Sequence, residues 1–314
     1  MILTVTPNPC LDKTLTVAGF SVEKTNRATL VHTAVGGKGI NVAVALSAIG
    51  GRALCTGFDF CDGGASPLTA HLDALSLAHD FVKMSGSLRC CNKIFDSERG
   101  VMIELNERGE QVTDAAGDAL LDKLCALAAD ASFVVLSGSL PQGLSADFYA
   151  RSLRALRERA PHCRVVVDAA GESLLLALAE HPFLIKPNAE EFAAAFGCDA
   201  TPEAVDVTAR RLIAEGQLTC VCVSLGGKGA YFADASGGYF APALPVAVRS
   251  LQGAGDAMVA GLCYALERGL AAPEVLACGV ATASAAVSHE GTAFGSKEEF
   301  EACLAKVCVQ EFGR

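Results

Sequence analysis

The segment Gly253-Ala254-Gly255-Asp256 places a single carboxylate behind two glycines at the predicted start of a helix. Glycines permit backbone conformations and close ligand approaches that other residues prevent. The N-terminus of the helix directs unpaired N–H groups, with partial positive charge, at an anion in the loop. Asp256, in the first turn, could then accept a proton from an attacking hydroxyl group, which suits the segment to phosphoryl transfer. An aspartate that only caps the helix is the alternative interpretation.

A second glycine-rich segment, Gly-Gly-Lys-Gly-Ile-Asn at residues 36–41, precedes another predicted helix. Lys38 could contact a phosphate and Asn41 could hydrogen-bond a hydroxyl group. The segment is not a Walker A phosphate loop, because His32 stands where the first glycine is required and Gly39 where a serine or threonine would bind magnesium. A tight strand-to-helix turn with a solvated lysine is an equally good interpretation.

The composition excludes several classes of protein. With 51% hydrophobic and 19% charged residues, the 314-residue chain can bury a large core. A net charge of −10 argues against a broad nucleic-acid interface. The 14 cysteines lie mostly in apolar runs and form no CxxC pair, and neither a signal peptide nor a membrane span is predicted. We therefore expect a cytoplasmic protein that binds neither nucleic acid nor membrane.

Short apolar segments alternate with helical patterns in the second half of the chain, which predicts a parallel sheet with helices on both faces. In such sheets, ligands bind in loops at the carboxyl ends of the strands. The loops that fit this position are 137–141, 186–188 and 224–229. The predicted strands are Phe133–Ser137, Arg164–Asp168, 183–185 and Cys220–Ser224, with helices at about 145–159, 171–180 and 202–216.

The first hundred residues show a different pattern, with alternating stretches that lack intervening helices and are typical of antiparallel strands. They predict a small β-sheet at the edge of the main domain, positioned to cover a ligand cleft. A strand end is also predicted at 246–250, directly before Gly253. The early strands are predicted at about 13–18, 28–34, 89–95 and 101–105, with helices at about 39–49 and 65–78.

Five motifs in order carry a resemblance to a known family. They are Asn-Pro-Cys-Leu-Asp at 8–12, the glycine-rich segment at 36–41, Ser-Gly-Ser-Leu-Pro-Gln-Gly at 137–143, Leu-Ile-Lys-Pro-Asn-Ala-Glu-Glu at 184–191, and Gly-Ala-Gly-Asp-Ala-Met-Val-Ala-Gly at 253–261. Together they resemble the ribokinase-like (PfkB) sugar kinases, in the subgroup of 1-phosphofructokinases and tagatose-6-phosphate kinases. The similarity extends from near residue 1 to about residue 300.

The resemblance implies an α/β fold, a three-layer α/β/α sandwich whose central sheet is mostly parallel. It implies a single kinase domain over residues 1–314, with a β-sheet lid formed from segments of about 11–35 and 88–106. In this family the lid often forms a dimer interface, so the resemblance also implies a homodimer.

The resemblance further implies a set of site residues. Asp256 would be the catalytic base, and Gly253, Ala254 and Gly255 would form the anion hole. The substrate positions would be Asp12, Gly37, Lys38, Asn41, Arg89 and Ser139. The nucleotide positions would be Lys186, Asn188, Ser224, Gly226, Gly229, Gly279 and Ala283, and Mg²⁺ would be organised by Asn188 and Glu191, through water. Taken singly, Asp12 could cap a turn, Arg89 could be a solvated strand residue, and Glu191 could be a first-turn acid favoured by the helix dipole.

The implied reaction is the ATP-dependent phosphorylation of an alcohol group on a ketohexose phosphate. Fructose 1-phosphate, giving fructose 1,6-bisphosphate, is the favoured substrate, with tagatose 6-phosphate and fructose 6-phosphate as alternatives. The chain departs from the family pattern at Leu88, Cys91, Leu251 and Gln252. The departures at Cys91, Leu251 and Gln252 motivate one alternative of another class, a sugar-phosphate or nucleotide sensor with weak turnover.

Overall fold

Two β-sheets form the molecule in the computed structural model, which describes residues 1–313. The strands are β1 (Ile2–Thr6), β2 (Cys10–Val17), β3 (Leu30–Gly36), β4 (Ala53–Phe60), β5 (Ala78–His79), β6 (Val82–Met84), β7 (Arg89–Asp96), β8 (Val101–Asn106), β9 (Phe133–Ser137), β10 (Arg164–Asp168), β11 (Leu184–Ile185), β12 (Cys220–Ser224), β13 (Ala230–Asp234), β14 (Gly237–Ala241) and β15 (Gln310–Glu311).

Ten α-helices accompany these strands in the described residues. They are α1 (Lys38–Ala48), α2 (Pro67–Ala74), α3 (Asp114–Ala128), α4 (Phe148–Arg159), α5 (Gly171–Leu178), α6 (Ala189–Phe196), α7 (Pro202–Ala214), α8 (Ala254–Glu267), α9 (Ala272–Val287) and α10 (Lys297–Leu304).

The large sheet has the strand order β15-β14-β13-β12-β11-β10-β9-β1-β4-β5, with β6 also paired to β4. Pairing is parallel from β12 to β5 and antiparallel from β12 to β15. The inner strands β1 and β9 are buried along their whole length, which explains their almost uninterrupted apolar sequences. One group of helices, α1, α8, α9 and α10, packs together, and α3 to α7 pack in sequence as a second group. The predicted α/β fold with a mostly parallel central sheet is confirmed.

The small sheet has the order β3-β2-β7-β8. The prediction that all its strands are antiparallel is wrong, because β2 and β7 pair in parallel, with Cys10 opposite Arg89 and Asp12 opposite Cys91. Each strand belongs to its own antiparallel hairpin, β2 with β3 and β7 with β8. Sequence periodicity recognises each hairpin but gives no information on how two hairpins meet.

Two further sequence predictions need correction. Residues 246–250 form no strand, because the Arg249 and Ser250 N–H groups donate to Val287 at the end of α9 instead of to a neighbouring strand. The helix expected over 65–78 ends at Ala74, and Ser76 adopts a φ of 54° before β5 begins. No helix in the described part of the chain is both long and apolar enough to cross a membrane.

Candidate active site

The helix α8 begins at the glycine-rich segment singled out from the sequence. Gly253, its N-cap, has a φ of 75°, and a Cβ there would lie 2.8 Å from Phe294 Cε1, so both conformation and space require glycine. Most of α8 is buried, as its apolar sequence on all sides predicts. Its first turn therefore presents backbone N–H groups and Asp256 in a fixed position.

Asp256 is buried, with 6% of its surface exposed. The Asn41 side-chain amide donates a hydrogen bond of 2.7 Å to its Oδ2. Burial and the negative charge of Asp168 raise the pKa of Asp256 to about 6, although Lys38, the Asn41 hydrogen bond and Lys186 act in the opposite direction. A carboxylate with this pKa is ionised near neutral pH and basic enough to accept a proton.

Asp168 is the centre of a buried charge cluster beside Asp256. Its carboxylate lies 3.2 Å from Lys38 Nζ and 3.4 Å from Lys186 Nζ, and it is only 1% exposed. Burial by itself would raise the pKa of Asp168, but the two ammonium groups outweigh burial and lower it. In turn, Asp168 and Asp256 raise the pKa of Lys38. The cluster therefore holds fixed charges of both signs between the two cavities described next.

The first cavity, of about 470 Å³, lies at the start of α8 and along α9. Ser224, Gly226 and Gly229, from the loop after β12, form one side, and Gly255 borders the cavity immediately before Asp256. The wall is mostly apolar and suits a flat aromatic base. Its apolar lining residues are Ala243, Leu244, Val246, Val248, Leu251, Met258, Val280, Ala283 and Val287.

Asn188 and Glu191 begin helix α6 between the two cavities, since Asn188 borders the first and Glu191 the second. They form a capping box, in which Asn188 Oδ1 accepts from the Glu191 N–H at 2.8 Å and Glu191 Oε2 accepts from the Asn188 N–H at 2.9 Å. Glu191 Oε1 makes no hydrogen bond within the described residues. One carboxylate oxygen fits a magnesium ion that keeps its waters and is held mainly by phosphates.

The second cavity, of about 560 Å³, is polar and lies between the two sheets. Lys38 and Asp168 border it from the large-sheet side, and Arg89 and Cys91 border it from the small sheet. The remaining lining side chains and loop residues are Thr6, Asn8, Asn106, Ser137, Gly138, Ser139, Leu140, Pro141, Leu144, Ala146, Ala169, Ala170, Ser173 and Glu191.

Arg89 reaches this cavity from the start of β7. Its guanidinium donates to the Glu107 carbonyl at 3.1 Å and to the Asn8 carbonyl at 3.3 Å, and its buried Nε has no partner in the described residues. Asp12, on the adjacent strand β2, accepts from Lys93 Nζ at 3.3 Å. The pKa of Cys91 is lowered by a hydrogen bond with Cys10 and by the charge of Arg89.

The structure brings most of the predicted site residues to the two cavities, but not all. Gly37 starts α1 with a φ of 133°, and a Cβ there would be 2.6 Å from Thr6 Cγ2. Gly279 packs α9 against α8, where a Cβ would lie 3.0 Å from Leu262 Cδ2, so it faces the helix and not the cavity. Lys186 lies in the charge cluster, with its ammonium 3.4 Å from the position of a Cβ on Gly255.

Several polar residues of the second cavity were not predicted as site residues, and the hydrogen bonding of Asn8, Thr6 and Ser137 makes these three the most informative. The Asn8 amide donates to Ser139 Oγ at 3.3 Å and so connects two of the sequence motifs. The hydroxyl groups of Thr6 and Ser137 are buried and have no hydrogen-bond partner among residues 1–313. Both end parallel neighbouring strands, β1 and β9, and this position was the one sequence signal that could have identified them.

The whole chain is similar to one family of enzymes. The sequence pattern of the pfkB family carbohydrate kinases matches residues 5–299. The 1-phosphofructokinase of Rhodobacter capsulatus is 36% identical over 317 residues, covering 98% of this chain and 97% of the relative. The 1-phosphofructokinase of Escherichia coli K12 is 31% identical over 319 residues, covering 99% and 98%.

A solved structure shows the same architecture. The phosphofructokinase-2 of Escherichia coli, in complex with substrates and products, superposes with a TM-score of 0.89 at 28% identity and covers 97% of this chain and 98% of its own. The same protein has been solved with fructose-6-phosphate and in a tetrameric inhibited form, both with a TM-score of 0.87.

Proposed function

Because the chain belongs to the pfkB family of carbohydrate kinases, we propose that it transfers the γ-phosphoryl group of ATP to fructose 1-phosphate, giving fructose 1,6-bisphosphate. The substrate assignment rests on relatives named 1-phosphofructokinase that are 30–36% identical over nearly the whole chain. ATP and a divalent metal ion are the co-substrate and cofactor typical of this family, and we propose Mg²⁺ as the metal.

One observation carries the proposed reaction type, namely a buried carboxylate at a helix N-terminus between an apolar and a polar cavity. Gly255, the residue before Asp256, borders the apolar cavity, and Lys38, whose charge acts on Asp256, borders the polar one. A nucleotide in the first cavity and a sugar phosphate in the second would therefore meet at Asp256. Phosphoryl transfer requires mainly such positioning, together with stabilisation of the transferred charge.

In the proposed mechanism, Asp256 accepts the proton of the sugar hydroxyl as that oxygen attacks the γ-phosphorus. The Asn41 amide fixes the carboxylate by its 2.7 Å hydrogen bond, which leaves the other carboxylate oxygen to receive the proton. The backbone N–H groups of Gly253, Ala254 and Gly255 form the anion hole for the transferred group at the N-terminus of α8. Those groups are fixed before substrate binds, because α8 is buried.

Lys38 and Lys186 supply positive charge at the same point. Asp168 pairs with both ammonium groups and so holds each of them near Asp256. The two ammonium groups are therefore already in position when a phosphate binds between them, and no side chain has to move far to stabilise its charge. We assign Lys186 to the nucleotide phosphates and Lys38 to the sugar side of the transfer.

On the sugar side, Asp12 and Ser139 would bind hydroxyl groups, and Gly37 would let the sugar approach the backbone. Arg89 would bind the phosphate that the substrate already carries, because its planar guanidinium matches phosphate oxygens. Its unpartnered Nε supports this assignment. The acceptor would then be the hydroxyl group at the far end of the sugar, beside Asp256.

On the nucleotide side, Ser224, Gly226 and Gly229 would hold the phosphates and ribose. Ala283, on α9, would contact the adenine, and we place Gly279 one turn earlier as support for that wall. Asn188 and Glu191 would orient the waters of Mg²⁺. When bound, this ion neutralises phosphate charge and so favours attack by a hydroxyl group.

Fructose 6-phosphate is the second candidate acceptor. It is favoured by the structural similarity to the phosphofructokinase-2 that has been solved with that sugar, at 28% identity. A furanose ring carries a CH₂ arm at each end, so the same cavity could receive either end of the sugar beside Asp256. The relatives of higher identity place fructose 1-phosphate first.

The test is ADP release with Mg-ATP against fructose 1-phosphate, fructose 6-phosphate, tagatose 6-phosphate and unphosphorylated fructose. We expect fructose 1-phosphate to give the highest kcat/KM, and Asp256→Asn to lower kcat by about 10²- to 10⁴-fold, as loss of a general base does. ATP binding without ADP release from any of the four sugars would contradict the proposal and favour a sensor.

A stability measurement separates loss of the base from loss of folding. In the folded protein the pKa of Asp256 is raised from 3.8 to about 6, so burying its charge costs up to about 3 kcal/mol above pH 6 and nothing below pH 4. Asparagine avoids this cost and still offers an oxygen to Asn41. We therefore expect Asp256→Asn to unfold at a higher denaturant concentration than the parent at pH 7, and at about the same concentration at pH 4.

We further propose that residues 1–314 form a single kinase domain, and that its lid, segments of about 11–35 and 88–106, pairs with a second copy. Apolar side chains are exposed on both edge strands of the small sheet, which is unusual for a monomer surface. They are Leu30 and Val31 on β3, and Val101, Met102 and Leu105 on β8, each 47–59% exposed. Leu30→Asp with Val31→Lys should lower the molar mass in light scattering from dimer to monomer, and an unchanged mass would contradict this interface.

A further inference from the structure

Two cysteines and an aspartate converge where β2 pairs with β7, next to the polar cavity. The Sγ atoms of Cys10 and Cys91 and a carboxylate oxygen of Asp12 all lie within 4.8 Å of one another. All three residues are buried, with 4–8% of their surface exposed. We propose that Cys10, Asp12 and Cys91 form a binding site for a thiophilic divalent cation such as Zn²⁺.

The donor set selects the kind of ion. Two thiolates and a carboxylate match the ligands of zinc, which binds four groups tetrahedrally with Zn–S bonds of about 2.3 Å. Such bonds place two sulfur atoms about 3.8 Å apart, so only small side-chain movements are needed. Mg²⁺ prefers oxygen ligands and a larger coordination number, so the ion of the phosphoryl-transfer reaction would not compete here.

Gly36 leaves room beside these donors. It pairs with Cys10 across β2 and β3, and a Cβ on Gly36 would lie 3.4 Å from Cys10 Sγ and against Asp12 Oδ2. Its φ does not lie in the left-handed region, so the backbone conformation there does not demand glycine. The missing side chain instead keeps open the space that Cys10 and the carboxylate border.

The exchange of two thiol protons for one divalent cation leaves the charge of this group balanced. Lys93 Nζ lies 3.3 Å from Asp12 Oδ1, so the carboxylate and this ammonium cancel while both thiols are protonated. After binding, two thiolates and one carboxylate are balanced by Lys93 and the divalent ion, so the net charge of the group is unchanged.

An ion can reach the site through the polar cavity, because Cys91 forms part of its wall. The fourth position of a tetrahedral ion would then face this cavity and hold water. Asp12 and Cys91 would contact either the sugar or the metal ion, so the ion and a bound sugar would compete. That competition rests on the proposed function, but binding of the ion does not.

The test uses the full, reduced chain and Zn²⁺ or Co²⁺ alone. Equilibrium dialysis with a competing chelating dye measures affinity, and the thiolate-to-metal absorption band of Co²⁺ reports sulfur ligation. We expect one high-affinity equivalent with a thiolate band, weakened at least about 100-fold in Cys10→Ser and in Cys91→Ser, because even indirect changes at metal sites cost about 10- to 100-fold.

Cys90→Ser is the matched control, since Cys90 precedes Cys91 on β7 and its side chain alternates to the other face of the sheet. It should bind zinc like the parent. Cys10→Ser and Cys91→Ser each remove one proposed ligand and so test the site independently. Thermal unfolding identifies a variant that has not folded. Equal affinity of Cys90→Ser and both site variants, or no equivalent bound by the parent, would overturn the site.

Discussion

The two cavities differ in what forms their walls. The first cavity, in which we place the nucleotide and which we call the nucleotide cavity, belongs to the large-sheet body alone. Apart from Asn188 and two serines, its wall consists of glycines and apolar side chains. The second cavity, in which we place the sugar phosphate and which we call the sugar cavity, is shared between the large-sheet body and the small sheet, and polar and charged side chains face it. In the proposed assignment, the apolar wall would hold an adenine nucleotide by shape, whereas the polar wall would distinguish sugars by where each hydroxyl or phosphate finds a partner.

The departures from the family pattern have different surroundings in these two regions. Leu251 borders the nucleotide cavity, where another apolar side chain would serve as well, and it is 75% exposed. Cys91 borders the sugar cavity and takes part in a buried pair with Cys10. We therefore expect changes on the sugar side to alter substrate choice, and changes on the nucleotide side to alter only the affinity for ATP.

Arg89→Ala should produce the largest difference between the effect on KM for the sugar phosphate and the effect on KM for ATP. Loss of charged hydrogen bonds worth about 1.5–3 kcal/mol should raise KM for the sugar phosphate about 10- to 100-fold. KM for ATP should stay unchanged. Arg89→Lys should be intermediate, because lysine keeps the charge without the planar fork. An equal rise in both KM values would mean that the two cavities do not act separately.

Asp256 and Asp168 lie between the two cavities, and their interaction should affect the pH dependence of kcat/KM. Asp256 must be ionised to accept a proton, and its pKa is about 6, so kcat/KM should fall about tenfold per pH unit below 6 and level off above it. Asp168→Asn removes a negative neighbour, which should lower the pKa of Asp256 and move this limb to lower pH. Initial rates between pH 4.5 and 8 measure both profiles. If the acidic part of the profile does not shift in Asp168→Asn, Asp168 does not raise the pKa of Asp256.

Ala283→Leu tests the assignment of the first cavity to the nucleotide. The larger side chain would occupy part of the apolar cavity, and overpacking of this kind costs about 1–3 kcal/mol. We expect KM for ATP to rise about tenfold while KM for the sugar phosphate is retained. Ala281→Ser, on the same helix but away from the cavity lining, serves as the control for changes within α9. A selective effect on the sugar would contradict the assignment of the two cavities.

The smallest expected effect concerns zinc. If the ion and the sugar exclude each other, zinc at its own dissociation constant should double the apparent KM for the sugar phosphate, about a twofold change, with no effect on KM for ATP. Cys91→Ser should lose this sensitivity and Cys90→Ser should keep it. Zinc that binds without competing would place the sugar away from Asp12, and would leave the metal site itself intact.

Sequence alone located the local part of the site. The strand Phe133–Ser137 and the helix start at Gly253 follow from apolar runs and glycine positions, which act over a few residues. It did not reveal the contacts between distant segments. The bond from Asn41 to Asp256 spans 215 residues, and the pairing of β2 with β7 sets Asp12 opposite Cys91. Both contacts depend on how helices and strands distant in the sequence pack together, and the hydrophobic periodicity of the sequence does not encode this packing.

The small sheet consists of two excursions from an otherwise continuous α/β chain path. β2 and β3 leave between β1 and α1, and β7 and β8 leave between β6 and α3. Pairing in the large sheet involves neither excursion. The fold is therefore modular, because residues within β2, β3, β7 and β8 can be exchanged to change the wall of the second cavity while the strand pairing of the large sheet is retained.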